Sequence, residues 1–466
     1  MKHRNSLTLT ATLAALFLLV RTGAAETKPA APAAPPATLP GVAPAEPARP
    51  VAWVGISTST EGAPPPGEVV SRKNIDKYVE FMSPGVKASV ENGSELKIVP
   101  YAKIPIPKAY IQATEKYSGQ CTLDERNDLK NWVAGRPFPV VDPDDPKAAV
   151  KIMWNFNRTS YFSDDLGVHL PDADTGAYFK DADDKAVYQV ERHFTVDWSR
   201  NLRYFGRLHH DPRPIIANNP DQVFNKQGFF PLIEPFDLKG VGTVSFRYVD
   251  PTRQDDTWLY TPTIRRVRRL SSAQRSDALF GQDIDLDSFG GYAGQIPWFD
   301  WKLIGKKPML ASLHGQNLPP KVCPNDGGVT YCEDWELRPN MWIVEGRARL
   351  QGYAYSKRVI YVDDEAQMIP YSDLFDQNEE LWKVVLINIR SSNRPNPKID
   401  FTYPEERMFV YGFTVLDLQL GHGTRAAIPG MAFPEEAGWY LDRGMDAPEA
   451  ASVGWFSIPS LIAAGR

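Results

Sequence analysis

Apolar and polar residues alternate with period two over most of the chain from Tyr188 onward, and that period predicts strands. Tyr188, Val190, Arg192, Phe194 and Val196 share one face, with Gln189, Glu191, His193 and Thr195 on the other. Val244, Phe246 and Tyr248 alternate with Ser245, Arg247 and Val249; after a turn at Asp250-Pro251, Trp258 and Tyr260 alternate with Thr257 and Leu259. The clearest case sets Trp342, Val344, Gly346, Ala348 and Leu350 against Ile343, Glu345, Arg347 and Arg349, one face apolar and the other mostly charged. Further strands are predicted at 358–362, 381–389 and 408–416, separated by Asp363-Asp364, by Asp376, Gln377 and Asn378, and by a Pro-Asn-Pro loop around Asn396. So many strands, each followed by turn residues, argue for an antiparallel meander rather than βαβ units. A sheet this wide twists and curls, and its apolar inner face needs covering by helices, by ligand or by both. The expected fold class is mainly β with α (α+β): a large curved antiparallel sheet forming a half-barrel, covered by helices.

Before the strands the period changes. Ile75, Tyr78, Val79 and Met82 fall at i, i+3, i+4 and i+7, the stripe of a short helix that Pro84-Gly85 ends. Thr122 and Glu125 form a capping-box pattern ahead of Leu129 and Trp132. Asp145-Pro146 leads into a third helix through Ala148, Val150, Ile152 and Met153. Residues 51–185 are thus expected to be a helical and loop cover, 186–420 the curved sheet domain, and 421–466 an extension packed on the sheet.

The start of the chain alters the setting. Lys2, His3 and Arg4 precede an apolar run from Leu7 to Val20 and then Gly23, Ala24 and Ala25, which reads as a cleavable secretory signal peptide over 1–25. Residues 26–50 are mostly Ala and Pro, a spacer that buries no core. The expected location is therefore the periplasm, with association with the outer membrane left open. With 52 basic and 57 acidic residues, the charge offers no basic excess to attract nucleic acid. Of three cysteines, Cys323 and Cys332 bracket a short loop that a disulfide could close in an oxidising compartment, and Cys121 reads as a buried small hydrophobe.

Candidate chemistry is sparse. Arg265, Arg266, Arg268 and Arg269 look like a polyanion site, but on a strand Arg266 and Arg268 share a face while Arg265 and Arg269 do not. Ion pairing with Asp255, Asp256, Asp283, Asp285 and Asp287 is the leading expectation, and contact with an anionic head group the second. His209, His210 and Asp211 lie together, but adjacent strand residues point apart, so no metal site is expected. Nucleophile-elbow, zincin, Walker and CxxC motifs are absent, no cofactor is implied, and the chain is expected not to be an enzyme.

Trp258, Leu259, Tyr260, Thr261 and Pro262 with the four arginines, then Phe280, Gly281 and Asp283, resemble a segment of outer-membrane-lipoprotein-sorting-like proteins. The segments 301–307, 342–345, 357–363 and 381–383 are similar, in the same order, to the large periplasmic family of unknown function that carries that description. The resemblance spans roughly 187–418. It implies a curved sheet like that of the Lol-pathway lipoprotein carriers, a half-barrel with an apolar cavity, and partnership with a resistance-nodulation-division exporter and an outer-membrane protein. This chain is about twice as long as a Lol carrier, so the cargo stays open between lipid, sterol-like and other hydrophobic molecules.

The first functional expectation is a periplasmic binding or carrier protein for a lipid or other hydrophobic molecule. Phe246, Tyr248, Trp258, Tyr260, Trp342 and Val344 would hold the cargo by apolar burial, with Arg266 and Arg268 at the rim. A structural or interaction protein of the envelope comes second, and an extracytoplasmic hydrolase third.

Overall fold

The period-two segments form strands throughout a computed structural model that describes residues 54–466 apart from 160–161, 271–274, 395–400, 429, 432–437 and 448–449. The expected signal peptide and Ala/Pro spacer lie outside the described residues, as does the loop around Asn396. Short elements come first: β1 (Gly55–Ile56), β2 (Val69–Val70), α1 (Pro84–Asn92), β3 (Leu96–Val99), α2 (Lys108–Tyr117), β4 (Thr122–Leu123), β5 (Leu129–Lys130) and α3 (Ala148–Thr159). Strands then follow almost without interruption: β6 (Asp165–His169), β7 (Asp172–Lys180), β8 (Ala186–Arg203), β9 (Val223–Glu234), β10 (Gly242–Tyr248), β11 (Asp256–Thr261) and β12 (Arg266–Arg269). The later strands are β13 (Phe299–Ala311), β14 (Asp334–Ala348), β15 (Lys357–Asp363), β16 (Tyr371–Phe375), β17 (Leu381–Ser392), β18 (Arg407–Asp417), β19 (His422–Ala427) and β20 (Gly438–Leu441), before the closing helix α4 (Ile458–Ala464).

Two helix expectations are corrected. The stripe at 75–82 forms two 3-10 turns, and Pro84 starts α1 rather than ending a helix. Ser83 is the cap, its Oγ accepting from Val86 N at 3.0 Å, and a proline in the first turn loses no hydrogen bond. The pattern at Thr122 becomes the β4–β5 hairpin. There Asp124 Oδ1 takes the N–H groups of Arg126 and Asp128, each at 2.9 Å, a side-chain turn that outcompetes helix nucleation. The third helix is α3, as expected.

Neighbouring strands run antiparallel along one path: β13–β14–β15–β16–β17–β18–β19–β7–β8–β9–β10–β11–β12. β1 adds in parallel beside β13, and β6 pairs with β8 and carries β20. The sheet therefore extends beyond 186–420 on both sides, because β19 pairs with β7. β12 and β1 end the path without pairing to each other among the described residues, so the sheet stays open.

One sheet face is packed by helices. α1 lies on β16 and β17, so close that a Cβ on Gly85 would fall 2.2 Å from Asp373 Oδ1. α4 covers β9, β10 and β11. Asp373 is fully buried here, accepting from Ser83 Oγ at 3.0 Å and Tyr361 OH at 3.2 Å, and burial pushes its pKa up to about 7. A carboxyl raised on folding contributes stability at acid pH that is lost as pH rises from the ordinary carboxylate range through about 7. Asp373→Asn is therefore expected to gain stability relative to the parent as pH goes from acid to alkaline, by about 1 kcal/mol per pH unit across that window. Urea unfolding of both proteins at pH 5 and pH 8 checks it; an equal difference at the two values contradicts it.

Cys323 and Cys332 form the expected disulfide, and Cys121 is free and half-buried. The bridge closes a loop with a sequence separation of 9 in the β13–β14 connection. Replacing both cysteines by serine is expected to cost about 2–3 kcal/mol, read as a lower urea midpoint.

Candidate ligand cavity

Residues directly paired across strands share a face, which defines the wall opposite the helices. Ile387, Phe413, Ala426, Ala173 and Phe194 form one cross-strand row from β17 through β18, β19 and β7 to β8. Ser199, Phe229 and Thr243 form a second row on β8, β9 and β10. Residues of both rows line a cavity of about 400 Å³.

Its roof is a loop rather than a helix. Leu279, Phe280, Ile284, Leu286 and Phe289 come from the segment between β12 and β13, and α3 adds Phe156. Phe289 lies over the sheet with its ring 5.5 Å from that of Phe229 and 6.4 Å from that of Phe413. Of the helices in the cover expected from sequence, α1 lies on the other side of the sheet and α3 reaches this one.

A buried ionic network ties this roof down. Arg358 on β15 has no exposed side-chain surface; it donates to Ser288 Oγ at 3.1 Å and to Asp285 Oδ1 at 3.4 Å. Tyr355 OH donates to Asp285 at 2.7 Å and Tyr353 OH to Asp287 at 3.0 Å. Arg275 bridges Asp287 and Asp255, and Asp255 also takes Arg247 at 2.7 Å. Despite burial, the two guanidinium groups hold the Asp255 carboxyl below the usual range. The acids expected to pair with the arginines at 265–269 are therefore mostly taken by Arg247, Arg275 and Arg358. Among the described residues only Asp256 meets that run, through Arg269, while Asp283 bonds His422 and Thr424.

None of the eight residues expected to contact a ligand lines this cavity. Phe246, Tyr248, Trp258 and Tyr260 lie on the helix-packed face, because their neighbours Thr243, Arg247 and Thr257 are the ones on the cavity wall. Tyr248 and Tyr260 are buried there with Phe456 and Leu461, and Phe246 meets Trp258 edge to face at 4.9 Å. Trp342 and Val344 do share the cavity-side face, since Val344, Ile360, Ser372 and Val385 pair in succession, but both are packed into solid core. Arg266 and Arg268 are exposed on the edge strand β12. Sequence reasoning missed Phe229, whose strand it did not predict. Val385, Ile387 and Ile389 had a signal, as alternate positions of a predicted strand.

The histidine candidates are engaged by partners within the chain. His209 does approach carboxylates, those of Asp164 and Asp442. However, Asp164 accepts three backbone N–H groups, from Leu208, His209 and His210, and Arg407 sits 3.2 Å from Asp442, a fixed positive charge where a cation would bind. His193 bonds Asp174 at 2.7 Å, which raises its pKa. Among the described residues no helix is long and apolar enough to cross a membrane.

A family model described as a protein of unknown function (DUF1329) matches residues 69–436. An uncharacterized protein of Pseudomonas aeruginosa is 22% identical over 335 residues, which cover 68% of this chain and 67% of that one. Among solved structures, a DUF1329 family protein from Desulfovibrio piger gives a TM-score of 0.40 at 16% identity, covering 69% of this chain and 100% of its own. A putative outer membrane lipoprotein-sorting protein domain from Vibrio parahaemolyticus gives 0.39 at 13% identity, covering 64% and 91%. A LolA superfamily protein from Nitrosomonas europaea gives 0.33 at 14%, covering 66% and 97%.

Proposed function

The chain belongs to the DUF1329 family, and from that premise we propose that it is a periplasmic binding or carrier protein for a lipid-like or other hydrophobic molecule. The observation that carries the reading is the cavity of about 400 Å³, walled by Phe194, Ile387 and Phe413 and roofed by Phe289. That volume lies within the range of small-molecule sites, and an apolar hollow gains free energy from an apolar occupant. Binding without turnover fits a wall of aliphatic and aromatic groups. Hand-over to an exporter or outer-membrane protein completes the reading.

Titration of delipidated protein with the neutral fluorescent probe N-phenyl-1-naphthylamine tests it. Saturable uptake near one probe per chain, displaced by a long-chain alcohol, is the expected result. Fluorescence that never saturates, or that a long-chain alcohol leaves unchanged, overturns it.

A further inference from the structure

One end of the cavity is built differently from the rest. In the β8–β9–β10 register Arg203, Asn225 and Arg247 stand in one row and Asn201 pairs with Gln227, and all five line the cavity. Arg203 is only 4% exposed. It donates to the backbone carbonyls of Arg158 and Ser163, makes no ion pair among the described residues, and leaves its buried Nε without a partner. Its hydrogen-bond acceptors are neutral carbonyls, and the charges of Asp164 and Asp442 offset only part of the cost of taking the guanidinium out of water.

Arg158, half-buried, stands beside it. Its guanidinium lies 4.8 Å from the ring of Trp132, 4.7 Å from that of Trp154 and 4.1 Å from that of Phe224. Those π faces take part of the charge but accept nothing from its edge. The buried Nε of Arg158 has no partner, and its described side-chain bond goes to the neutral Asn157. Arg203 lines the cavity and Arg158 a second, more polar one of about 500 Å³; Phe224 lines both, and Arg203 bonds the Arg158 carbonyl. Asn201, Asn225 and Gln227 are half-buried, and their amides make no hydrogen bond to a described residue. The one acid on the cavity wall, Asp172, is on β7 rather than on these strands.

We infer that Arg203 and Arg158, with the amides of Asn201, Asn225 and Gln227, bind the anionic head of an amphiphile, a carboxylate or phosphate, whose chain fills the apolar part of the cavity. The inference rests on the hydrophobic-ligand reading and narrows it to acidic amphiphiles. Burial pushes the Arg203 guanidinium down to about 10, and burial together with Arg203 and Arg247 lowers that of Arg158. An anion between them reverses that tendency, and charge-assisted bonds from a guanidinium are among the stronger ones available.

Calorimetric titration of the delipidated full chain with oleate, oleyl alcohol and inorganic phosphate tests the inference. Oleate is expected to bind about ten-fold or more tighter than the alcohol, in keeping with one hydrogen bond to a charged group. Arg203→Gln and Arg158→Gln are each expected to weaken oleate more than the alcohol, so that the preference shrinks. The parent protein alone decides if either variant fails to fold. Equal affinity for oleate and alcohol overturns the anionic head and leaves the hydrophobic reading standing. Phosphate binding as tightly as oleate overturns the amphiphile, and failure of both chain-bearing ligands to bind overturns the hydrophobic reading with it.

Discussion

Arg358→Ala is expected to destabilise the protein by about 3–5 kcal/mol, the usual cost of removing one partner from a buried charge network. The change leaves Asp285 buried with Tyr355 and without its cation, and removes the donor to Ser288, so two anchors of the cavity roof fail together. Asp287 keeps Arg275, which confines the damage to one side of the roof. Lysine restores the charge but not the fork that reaches Ser288, Asp285 and Tyr353 at once, so Arg358→Lys is expected to recover less than half of the loss. Urea unfolding gives the stability, and hydrogen exchange across 279–293 locates the loosening. A loss under about 1 kcal/mol with unchanged exchange would show that the roof is held by packing instead.

Ala426→Trp is expected to abolish uptake of a hydrophobic ligand while changing stability by less than about 1 kcal/mol. Ala426 stands between Phe413 and Ala173 on the cavity wall, and an indole projected from it occupies the space a ligand would take. In a hollow the added ring finds room. In a close-packed core the same change costs about 1–3 kcal/mol or more through displaced neighbours. Stability and binding measured on the same preparation separate the two cases: a stable protein that no longer binds marks a ligand site, and an unstable one marks ordinary core.

The strands were legible because period two is a local signal: the predictions at 358–362, 381–389 and 408–416 became β15, β17 and β18. The residue motifs likewise pointed to the family whose model matches. Choosing a face was harder. On β10 and β11 the larger aromatics lie on the side that carries α4, Tyr248 and Tyr260 buried and Phe246 and Trp258 half-buried, while the hollow side carries Thr243 and Thr257. Elsewhere the wall does carry aromatics, Phe194, Phe229 and Phe413, so the size of a side chain does not tell which face it is on. The roof was not legible either. Its anchors join Arg358 to Asp285 across 73 positions, a pairing that no local pattern encodes, so the nearby run at 265–269 looked like the better partner. Short-range chemistry misled at Thr122, where Asp124 offered the backbone a turn in place of the helix.

The most direct test of the account is native mass spectrometry, with lipid extraction, of the protein purified from its own cells. One hydrophobic molecule per chain, displaced by Ala426→Trp, is the predicted result. A clean apo chain that also takes up no hydrophobic molecule offered to it would contradict the account.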